Sequence, residues 1–451
     1  MMMRPAYRAR TVKEGLSLII CLMILVWMPI RNGFCSGYTY ININDPFIRK
    51  IPVAVTDFQP MSTMGHEGED GNTARDILSQ ALDFTGYLKI MDRAAFLDDP
   101  SKTGITREAI RFGNWTSLGA ELLVTGGIVE TAESVSLQLR LFDTFKEKML
   151  VGKIYTGVRS DIRKMVLRFC GEISQNLTGK WGIFSSQIAF VSTVKGNKEV
   201  FVCDFDGHDP RQITDLKSIT LSPAWSSDSQ WLAYTSYTKG NPDLYIKHIN
   251  EKRGSVIDFK GLNITPDWVP GQFALAACLS FSGDQEIYLL TGKGKIIKRI
   301  TQSWGIDLSP DFSPDGKQVA FVSRRAGTPQ IYIQDVDGDS ARRLTFEGQY
   351  NTSPAWSPDG DRIAYVGSRD GKINIYVMGI DGTGPVQLTR DTGDNEDPSW
   401  SPDGSLIVFS STREGKSRIY VMTAAGGEQR RLLTLDGAQT DPAWSLGTAG
   451  N

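Results

Sequence analysis

Pro354-Ala355-Trp356-Ser357-Pro358-Asp359-Gly360 is the stretch that decides the fold of this chain of 451 residues. Its first three residues represent a Pro-x-aromatic motif that occurs six times, with the aromatic residues 43 or 44 positions apart. The six copies start at Pro223, Pro266, Pro310, Pro354, Pro398 and Pro442. A period of about 40–45 residues in a chain with many short apolar stretches is typical of the blades of a β-propeller.

Each repeat contains three more apolar stretches at a constant offset from the motif. In the repeat of Pro354 they are residues 363–365, 375–376 and 388–389. Turn signals separate them, namely the Ser-Pro-Asp-Gly that ends at Gly360 and the Asp-Gly at residues 381–382. Proline fixes φ early in such turns, and glycine takes the left-handed conformation. Four short strands in each of six repeats predict an all-β, six-bladed propeller over residues 184–446.

The phase of the repeat at its two ends predicts how the ring closes. The first repeat begins at Ile188 without a Pro-x-aromatic strand, whereas the last Pro-x-aromatic strand, at Pro442, has no further strands after it. We therefore expect the C-terminal strand to complete the blade that residues 188–214 begin. Such closure protects the sheet edges and holds the two ends of the ring together.

Residues 38–180 lack the repeat and carry the patterns of both helices and strands. Strands are predicted at residues 51–58, 122–124, 135–141 and 149–158, and helices at residues 72–84, from Thr106, and at residues 161–177, with Asn72 as an N-cap. This mixture predicts a small α/β domain ahead of the propeller. Residues 38–49 are interpreted either as a semi-independent arm or as an ordinary edge strand.

The first 37 residues are predicted to be a targeting segment. Basic residues at positions 4, 8, 10 and 13 precede an apolar run of 15 residues, Leu16 to Ile30. A spanning helix needs roughly 20 apolar residues, so this pattern favours a secretory signal peptide, cleaved after Gly37. An uncleaved membrane anchor is the alternative.

Composition excludes several classes of protein. Basic and acidic residues number 49 and 51, for a net charge of −2, so nucleic acid is not expected as a partner. With three histidines and five cysteines, a zinc site is nearly excluded. The three cysteines that follow the targeting segment, Cys170, Cys203 and Cys278, are too few and too widely spaced for a disulfide framework.

Motifs that carry catalysis are missing. The chain has no Gly-x-Ser-x-Gly, no His-Glu-x-x-His and no phosphate-binding glycine loop followed by Lys-Ser/Thr. The acidic triplet of Asp335, Asp337 and Asp339 resembles part of a calcium loop, but it lies where each blade has a hairpin turn. The motif tryptophans could form a carbohydrate platform, but their shared place in the blades favours packing between the sheets.

The segments before each Pro-x-aromatic motif differ between blades while the strands stay alike. They are polar, and we expect them to be loops at the rim of the central funnel, where binding residues usually lie on such a scaffold. The alternative is that they are solvated connections. The candidate binding residues in them are Asn263, Thr265, Asp307, Ser309, Asn351 and Ser353.

A secretory signal, an α/β domain and a terminal propeller with Pro-Ala-Trp-Ser-Pro-Asp-Gly repeats together resemble the TolB family of the Tol–Pal system. The segment from Trp115 to Gly126, Trp-Thr-Ser-Leu-Gly-Ala-Glu-Leu-Leu-Val-Thr-Gly, is similar to that family as well. The likeness covers essentially the whole chain. The turns at residues 226–229 and 269–271 depart from Ser-Pro-Asp-Gly, which affects the loop shape expected there but not the blade count.

The resemblance implies a periplasmic protein–protein scaffold with no cofactor and no catalytic activity. It implies that the funnel rim binds the lipoprotein Pal through the six candidate residues, which associates the protein with the outer membrane. It also implies that the N-terminal arm binds TolA. The arm residues are Tyr38, Thr39, Tyr40, Ile41, Asn42, Ile43, Asn44 and Asp45. Such a scaffold, expected as a monomer, would maintain outer-membrane integrity and support envelope constriction in cell division.

Two alternatives stay open on the sequence alone. One is an orphan secreted propeller that binds another ligand. The other is a periplasmic propeller enzyme, such as a polysaccharide lyase, which would need a metal or a cluster of His, Arg and Lys in the funnel. His208 and His248 lie in neighbouring repeats, but their positions in the repeat do not converge on the rim.

Overall fold

A computed structural model of the chain describes residues 49–61, 69–100, 102–390 and 392–447. The predicted signal peptide, residues 1–37, and the predicted TolA-binding segment, residues 38–45, lie outside the described residues. The described residues form an N-terminal α/β domain and a β-propeller, which share one hydrophobic core.

The N-terminal domain contains one mixed β-sheet with the strand order β3–β1–β4–β5–β6, and β2 pairs with β4 beside this path. The strands are β1 (Ile51–Val55), β2 (Gln59–Pro60), β3 (Leu88–Ile90), β4 (Leu122–Glu130), β5 (Val135–Asp143) and β6 (Lys148–Gly157). β1, β3 and β4 run parallel, whereas β4, β5 and β6 form an antiparallel meander. The predicted α/β class of this domain is confirmed.

Two helices, α1 (Glu69–Phe84) and α3 (Ile162–Thr178), cover one face of the sheet. In α1 the buried residues include Ala74, Leu78 and Leu82, at the four-residue spacing that places side chains on one face. α3 ends at Gly179, whose φ of 76° is the left-handed conformation in which glycine closes a helix. A short helix, α2 (Phe112–Ser117), packs on the opposite face of the sheet through Trp115.

Several predicted boundaries in this domain are wrong. α1 is already helical at Glu69, and Asn72 is not its cap, because its side chain accepts a hydrogen bond from Arg75 at 2.7 Å. The helix predicted from Thr106 is a single 3₁₀ turn, Arg107–Ala109. β4 continues through Gly126 and Gly127 to Glu130, since pairing with β5 on one side overrides the turn preference of the glycines.

The propeller consists of six four-stranded antiparallel sheets, each ordered from the funnel outward. Blade I contains β30 (Gln439–Trp444), β7 (Gln187–Ser192), β8 (Glu199–Asp204) and β9 (Arg211–Gln212). Blade II contains β10 (Thr220–Trp225), β11 (Trp231–Ser236), β12 (Asp243–His248) and β13 (Gly254–Ile257). Blade III contains β14 (Asn263–Trp268), β15 (Ala274–Leu279), β16 (Glu286–Thr291) and β17 (Ile296–Arg299).

Blade IV contains β18 (Asp307–Phe312), β19 (Gln318–Ser323), β20 (Gln330–Asp335) and β21 (Arg342–Arg343). Blade V contains β22 (Tyr350–Trp356), β23 (Arg362–Arg369), β24 (Lys372–Gly379) and β25 (Val386–Gln387). Blade VI contains β26 (Asn395–Trp400), β27 (Leu406–Glu414), β28 (Lys416–Thr423) and β29 (Arg430–Arg431). The predicted six-bladed propeller is confirmed.

The turns and aromatic residues act as the repeat predicts. In blade V, the Gly360 N–H donates to the Ser357 carbonyl at 2.9 Å, and Gly360 has a φ of 77°. The motif tryptophans are buried, between 3% and 9% exposed, and they pack between neighbouring sheets. This confirms the interpretation of the tryptophans as core residues.

The C-terminal strand closes the ring, as predicted. β30 pairs antiparallel with β7 and places Trp444 opposite Ile188. The Trp444 indole N–H donates to the Ser186 hydroxyl at 2.8 Å, and the backbones of Gln187 and Ser445 are joined at 2.8 Å. Blade I is therefore built from both ends of the propeller sequence.

One face of the propeller carries the N-terminal domain. Lys180 Nζ lies 2.6 Å from Asp359 Oδ1 and 2.9 Å from the Asp403 carbonyl, and both acceptors belong to turns between first and second strands. Arg163 binds Asp204 and Asp206 in the turn between the third and fourth strands of blade I. We call this the covered face. The opposite, open face carries the loops between second and third strands and the connections from blade to blade.

Candidate functional site: the propeller funnel

The first strands of the six blades surround a central funnel with a volume of about 510 Å³. Each strand contributes the residue before the proline of its motif, and all six residues have a positive φ, between 48° and 53°. They are Ser222, Thr265, Ser309, Ser353, Asp397 and Asp441. At this point the pairing between first and second strand is interrupted by a β-bulge, which turns the residue toward the funnel. The repeat therefore builds the same left-handed conformation into all six blades, and it directs six equivalent residues into one cavity.

Polar groups of the funnel bond from one blade to the next. The Ser309 N–H donates to Thr265 Oγ1 at 3.2 Å, and the Ser353 hydroxyl donates to Asp397 Oδ1 at 3.2 Å. The Ser222 N–H donates to Asp441 Oδ1 at 3.3 Å. These bonds tie blades to their neighbours and hold the wall of the funnel in one geometry.

Four carboxylates also line the funnel, at Asp267, Asp311, Asp397 and Asp441. Asp267 and Asp311 accept the backbone N–H of the following blade's aromatic residue, at 2.9 and 2.7 Å. Burial raises the pKa of Asp267 to about 7, and burial followed by repulsion from Asp441 and Glu396 raises that of Asp397 to about 7. Burial, with repulsion from Asp267, raises the pKa of Asp311 well above its ordinary value.

The structure separates the six predicted rim residues into two groups. Thr265, Ser309 and Ser353 are half-buried and line the funnel. Asn263, Asp307 and Asn351 are at most 1% exposed, because each one lies at the start of a first strand, as its first or second residue.

The expectation that Asn263, Asp307 and Asn351 lie in exposed loops is therefore wrong. The Asn351 amide donates to Gln330 Oε1 and to the Glu347 carbonyl, both at 2.9 Å. The Asn263 amide donates to the Phe259 carbonyl at 2.7 Å. These polar side chains satisfy backbone and side-chain groups inside the blades, so their polarity does not indicate exposure.

Other funnel residues were not among the predicted candidates. Ser222, Asp397 and Asp441 occupy the same repeat position as Thr265 and Ser309. The sequence could have identified them, because all six funnel residues lie directly before the proline of the Pro-x-aromatic motif. The exact position in the repeat, rather than the composition of the segment, decides which side chain faces the funnel.

The remaining chemistry-bearing residues do not meet at the funnel. His248 is buried, and its Nδ1 accepts the backbone N–H groups of Asn250 and Glu251 at 3.2 and 3.1 Å. The acidic triplet near Asp337 forms a turn in which the Gly338 N–H donates to the Asp335 carbonyl at 2.9 Å, as the repeat predicts. Within the described ranges, no three His, Cys, Asp or Glu side chains are grouped to hold a metal ion.

Two family models match the chain. The model of the TolB amino-terminal domain matches residues 39–150, and that of the TolB beta propeller domain matches residues 174–448, more than half of the chain. The chain belongs to the TolB family. The resemblance seen in the repeats and in the N-terminal domain is thereby confirmed.

Relatives within the TolB family show the same relationship along the sequence. The chain is 54% identical to the Tol-Pal system protein TolB of Desulfosudis oleivorans over 287 residues, which are 64% of this chain and 65% of that protein. It is 42% identical to the protein TolB homolog of Chlorobaculum tepidum over 291 residues, 63% of this chain and 64% of that protein. The matched stretches span just under two thirds of the length of these relatives.

A solved TolB structure shares the architecture. The crystal structure of TolB from Acinetobacter baumannii is similar with a TM-score of 0.77 and 28% sequence identity, over 88% of this chain and 97% of that chain. Among the described helices, none has the length and apolar character needed to cross a membrane.

Proposed function

We propose that this TolB-family chain is a non-catalytic periplasmic scaffold of the Tol–Pal system. In this proposal, the open face of the propeller binds Pal, and the segment from Tyr38 to Asp45 binds TolA. The observation that carries the Pal part is the funnel, a concave surface at the centre of the propeller that the first strands of all six blades line. Two binding regions in one chain suit a bridge between envelope components, with roles in outer-membrane integrity and constriction.

The funnel residues have separate roles in the proposal. Thr265, Ser309 and Ser353 are proposed to contact Pal directly, because their hydroxyls line the funnel. Asn263, Asp307 and Asn351 are proposed to act as positioning residues, since they are buried at the starts of the first strands and the two asparagines bind the connections before them. A rigid wall lowers the entropy lost on binding, which favours affinity without new contacts.

Calorimetric titration of residues 38–451 with the soluble Pal domain of the same organism tests the Pal site. Ser309→Arg places a long side chain in the funnel at a position where the backbone already tolerates a side chain. We expect it to weaken Pal binding at least about tenfold, because one bulky group in a packed interface centre costs more than 1.4 kcal/mol. Ser340→Arg, on an exposed turn of the covered face, is the matched control and should bind like the wild type.

Titration with the periplasmic domain of TolA tests the arm. Deletion of residues 38–45 should abolish TolA binding, and a change in Pal affinity in the same variant would show that arm and funnel are coupled. Equal Pal affinity would refute the coupling alone. Failure of the wild type to bind either partner would refute the scaffold and favour an orphan binding propeller.

A further inference from the structure

Three arginines occupy the same position in consecutive blades of the open face. Arg325, Arg369 and Arg413 lie at or just after the ends of the second strands of blades IV, V and VI and are 44 residues apart. The equivalent positions in blades I, II and III are Val194, Thr238 and Phe281, which carry no charge. The three arginines, which we call the arginine crescent, therefore place a guanidinium at this repeat position only in blades IV, V and VI.

Arg325 is held on three sides in blade IV. Its Nε donates to Ser323 Oγ at 2.8 Å, and its Nη2 donates to the buried Asp307 at 2.8 Å. Its guanidinium lies 5.4 Å from the Phe321 ring and 5.0 Å from the Tyr332 ring. Stacking on aromatic faces and hydrogen bonding together fix the plane of the guanidinium.

Arg413 repeats this arrangement in blade VI. Its Nε donates to Ser411 Oγ at 2.9 Å, and its Nη2 donates to Asn395 Oδ1 at 3.0 Å. The Phe409 and Tyr420 rings lie 5.4 and 4.2 Å from the guanidinium. In blade VI the neutral amide of Asn395 takes the place that the carboxylate of Asp307 has in blade IV. These direct contacts therefore do not neutralise the charge of Arg413.

Arg369 completes the crescent in blade V with a looser arrangement. It lies 4.6 Å above the Tyr376 ring and 3.1 Å from the mostly exposed Glu347. The side chain of Arg369 is 35% exposed and that of Arg325 is 22% exposed. Among the described residues, the Nη1 atoms of Arg325 and Arg413 have no hydrogen-bond partner. Each guanidinium thus keeps donors for a ligand.

Two large aromatic side chains flank the crescent. Trp304, in the connection into blade IV, is 79% exposed, and Phe346, in the connection into blade V, is 72% exposed. These are the two most exposed large apolar side chains of the described residues. Phe346 is stacked by Arg343 at 5.0 Å, which limits its motion. Tryptophan and arginine are enriched among the residues that dominate protein–protein binding energy.

We propose that the arginine crescent, with Trp304 and Phe346 beside it, docks an acidic, carboxylate-rich segment of the protein that the open face binds. This rests on the proposed function, in which that protein is Pal. A carboxylate matches the fork of a fixed guanidinium, and pre-organised arginines lose little entropy on binding. The crescent arginines do not belong to the lining of the funnel, so the acidic segment lies on the rim rather than in the funnel. The partner then spans the funnel and the half of the rim over blades IV to VI.

Titration of the Pal domain into residues 38–451 carrying Arg325→Gln and Arg413→Gln tests this docking site. We expect affinity to fall at least about tenfold, because two charge-assisted contacts are lost. Between about 0.05 M and about 0.3 M NaCl, the wild type should lose affinity, and the double variant should lose clearly less. Arg253→Gln is the matched control, because Arg253 is also stacked, 5.0 Å from Trp231, and ion-paired, but on the covered face. It should bind like the wild type.

Arg324→Glu is a second variant in case the double variant does not fold. Arg324 is exposed beside the crescent, so its substitution should leave the fold intact. It reverses a charge without disturbing the stacked rings and should also weaken binding. If both variants keep the affinity and the salt dependence of the wild type, the arginine crescent is not the docking site. Pal binding, and thus the proposed function, would stand. A wild type that does not bind Pal would refute both. If the wild type binds phosphatidylglycerol vesicles and the double variant does not, the crescent binds a lipid surface rather than an acidic protein segment. That result would overturn the proposal.

Discussion

Replacing Trp444 by alanine tests the closure of the ring at a single side chain. Trp444 is the last residue of β30 and is 7% exposed. Its indole donates to Ser186, its backbone N–H donates to Ser399 of blade VI at 3.0 Å, and its ring packs in the core that the propeller shares with the N-terminal domain. The substitution therefore loosens blade I, its contact with blade VI and the shared core together.

The magnitude follows from the size of the buried side chain. Truncation of a buried tryptophan to alanine costs about 3–5 kcal/mol, from lost apolar burial and the cavity left behind. Ser186 keeps its hydrogen bond to the Ile183 carbonyl at 2.6 Å, so loss of the indole leaves no orphaned hydroxyl to add to this cost. At about 2–4 °C per kcal/mol for units of this size, the melting temperature should fall by roughly 6–20 °C.

Scanning calorimetry on residues 38–451 measures this effect. Trp304→Ala is the matched control, since Trp304 is the same residue type but 79% exposed, and exposed substitutions change stability by about 0.5 kcal/mol or less. Deleting residues 440–451 removes most of β30 and should lower the melting temperature further. A Trp444→Ala variant that melts within about 2 °C of the wild type, or a control that is equally destabilised, would refute the reasoning about closure.

Three further predictions use other parts of the structure. Asp267 holds its proton more tightly in the folded state, with a pKa of about 7, than in the unfolded state, near 3.9, so its contribution to stability falls as pH rises from about 4 to about 7. Asp267→Asn should therefore raise the melting temperature by roughly 2–4 °C at pH 8 and by less at pH 5, and an equal rise at both pH values would contradict this. The thiols of Cys170, Cys203 and Cys278 are buried, which raises their pKa values, so iodoacetamide should modify them only after unfolding, as mass spectrometry would show. Lys180→Ala removes the contacts to Asp359 and Asp403 and should cost about 1 kcal/mol while speeding hydrogen exchange in those two turns; unchanged exchange would count against a role in joining the domains.

The sequence alone determined the architecture of the propeller. The spacing of the Pro-x-aromatic motifs sets the number of blades, and the phase of the repeat at Ile188 and Trp444 shows that the last strand joins the first blade. These features are readable because the signals for strands and turns lie within one repeat and recur at a constant offset from the motif. The α/β class of the N-terminal domain was readable for the same reason, although the three-residue strand β3 was too short to give a pattern.

Only the tertiary structure decided which polar residues are available to a partner. The sequence predicts Asn263, Asp307 and Asn351 as exposed loop residues, yet they are buried, and side chains and backbone from other parts of their own or the preceding blade hydrogen-bond to them. The arginine crescent is likewise a product of the fold, since its charge becomes a surface only when blades IV to VI stand side by side. Burial depends on partners in other strands, such as Gln330 for Asn351, and the local pattern does not record which side chains such pairings enclose.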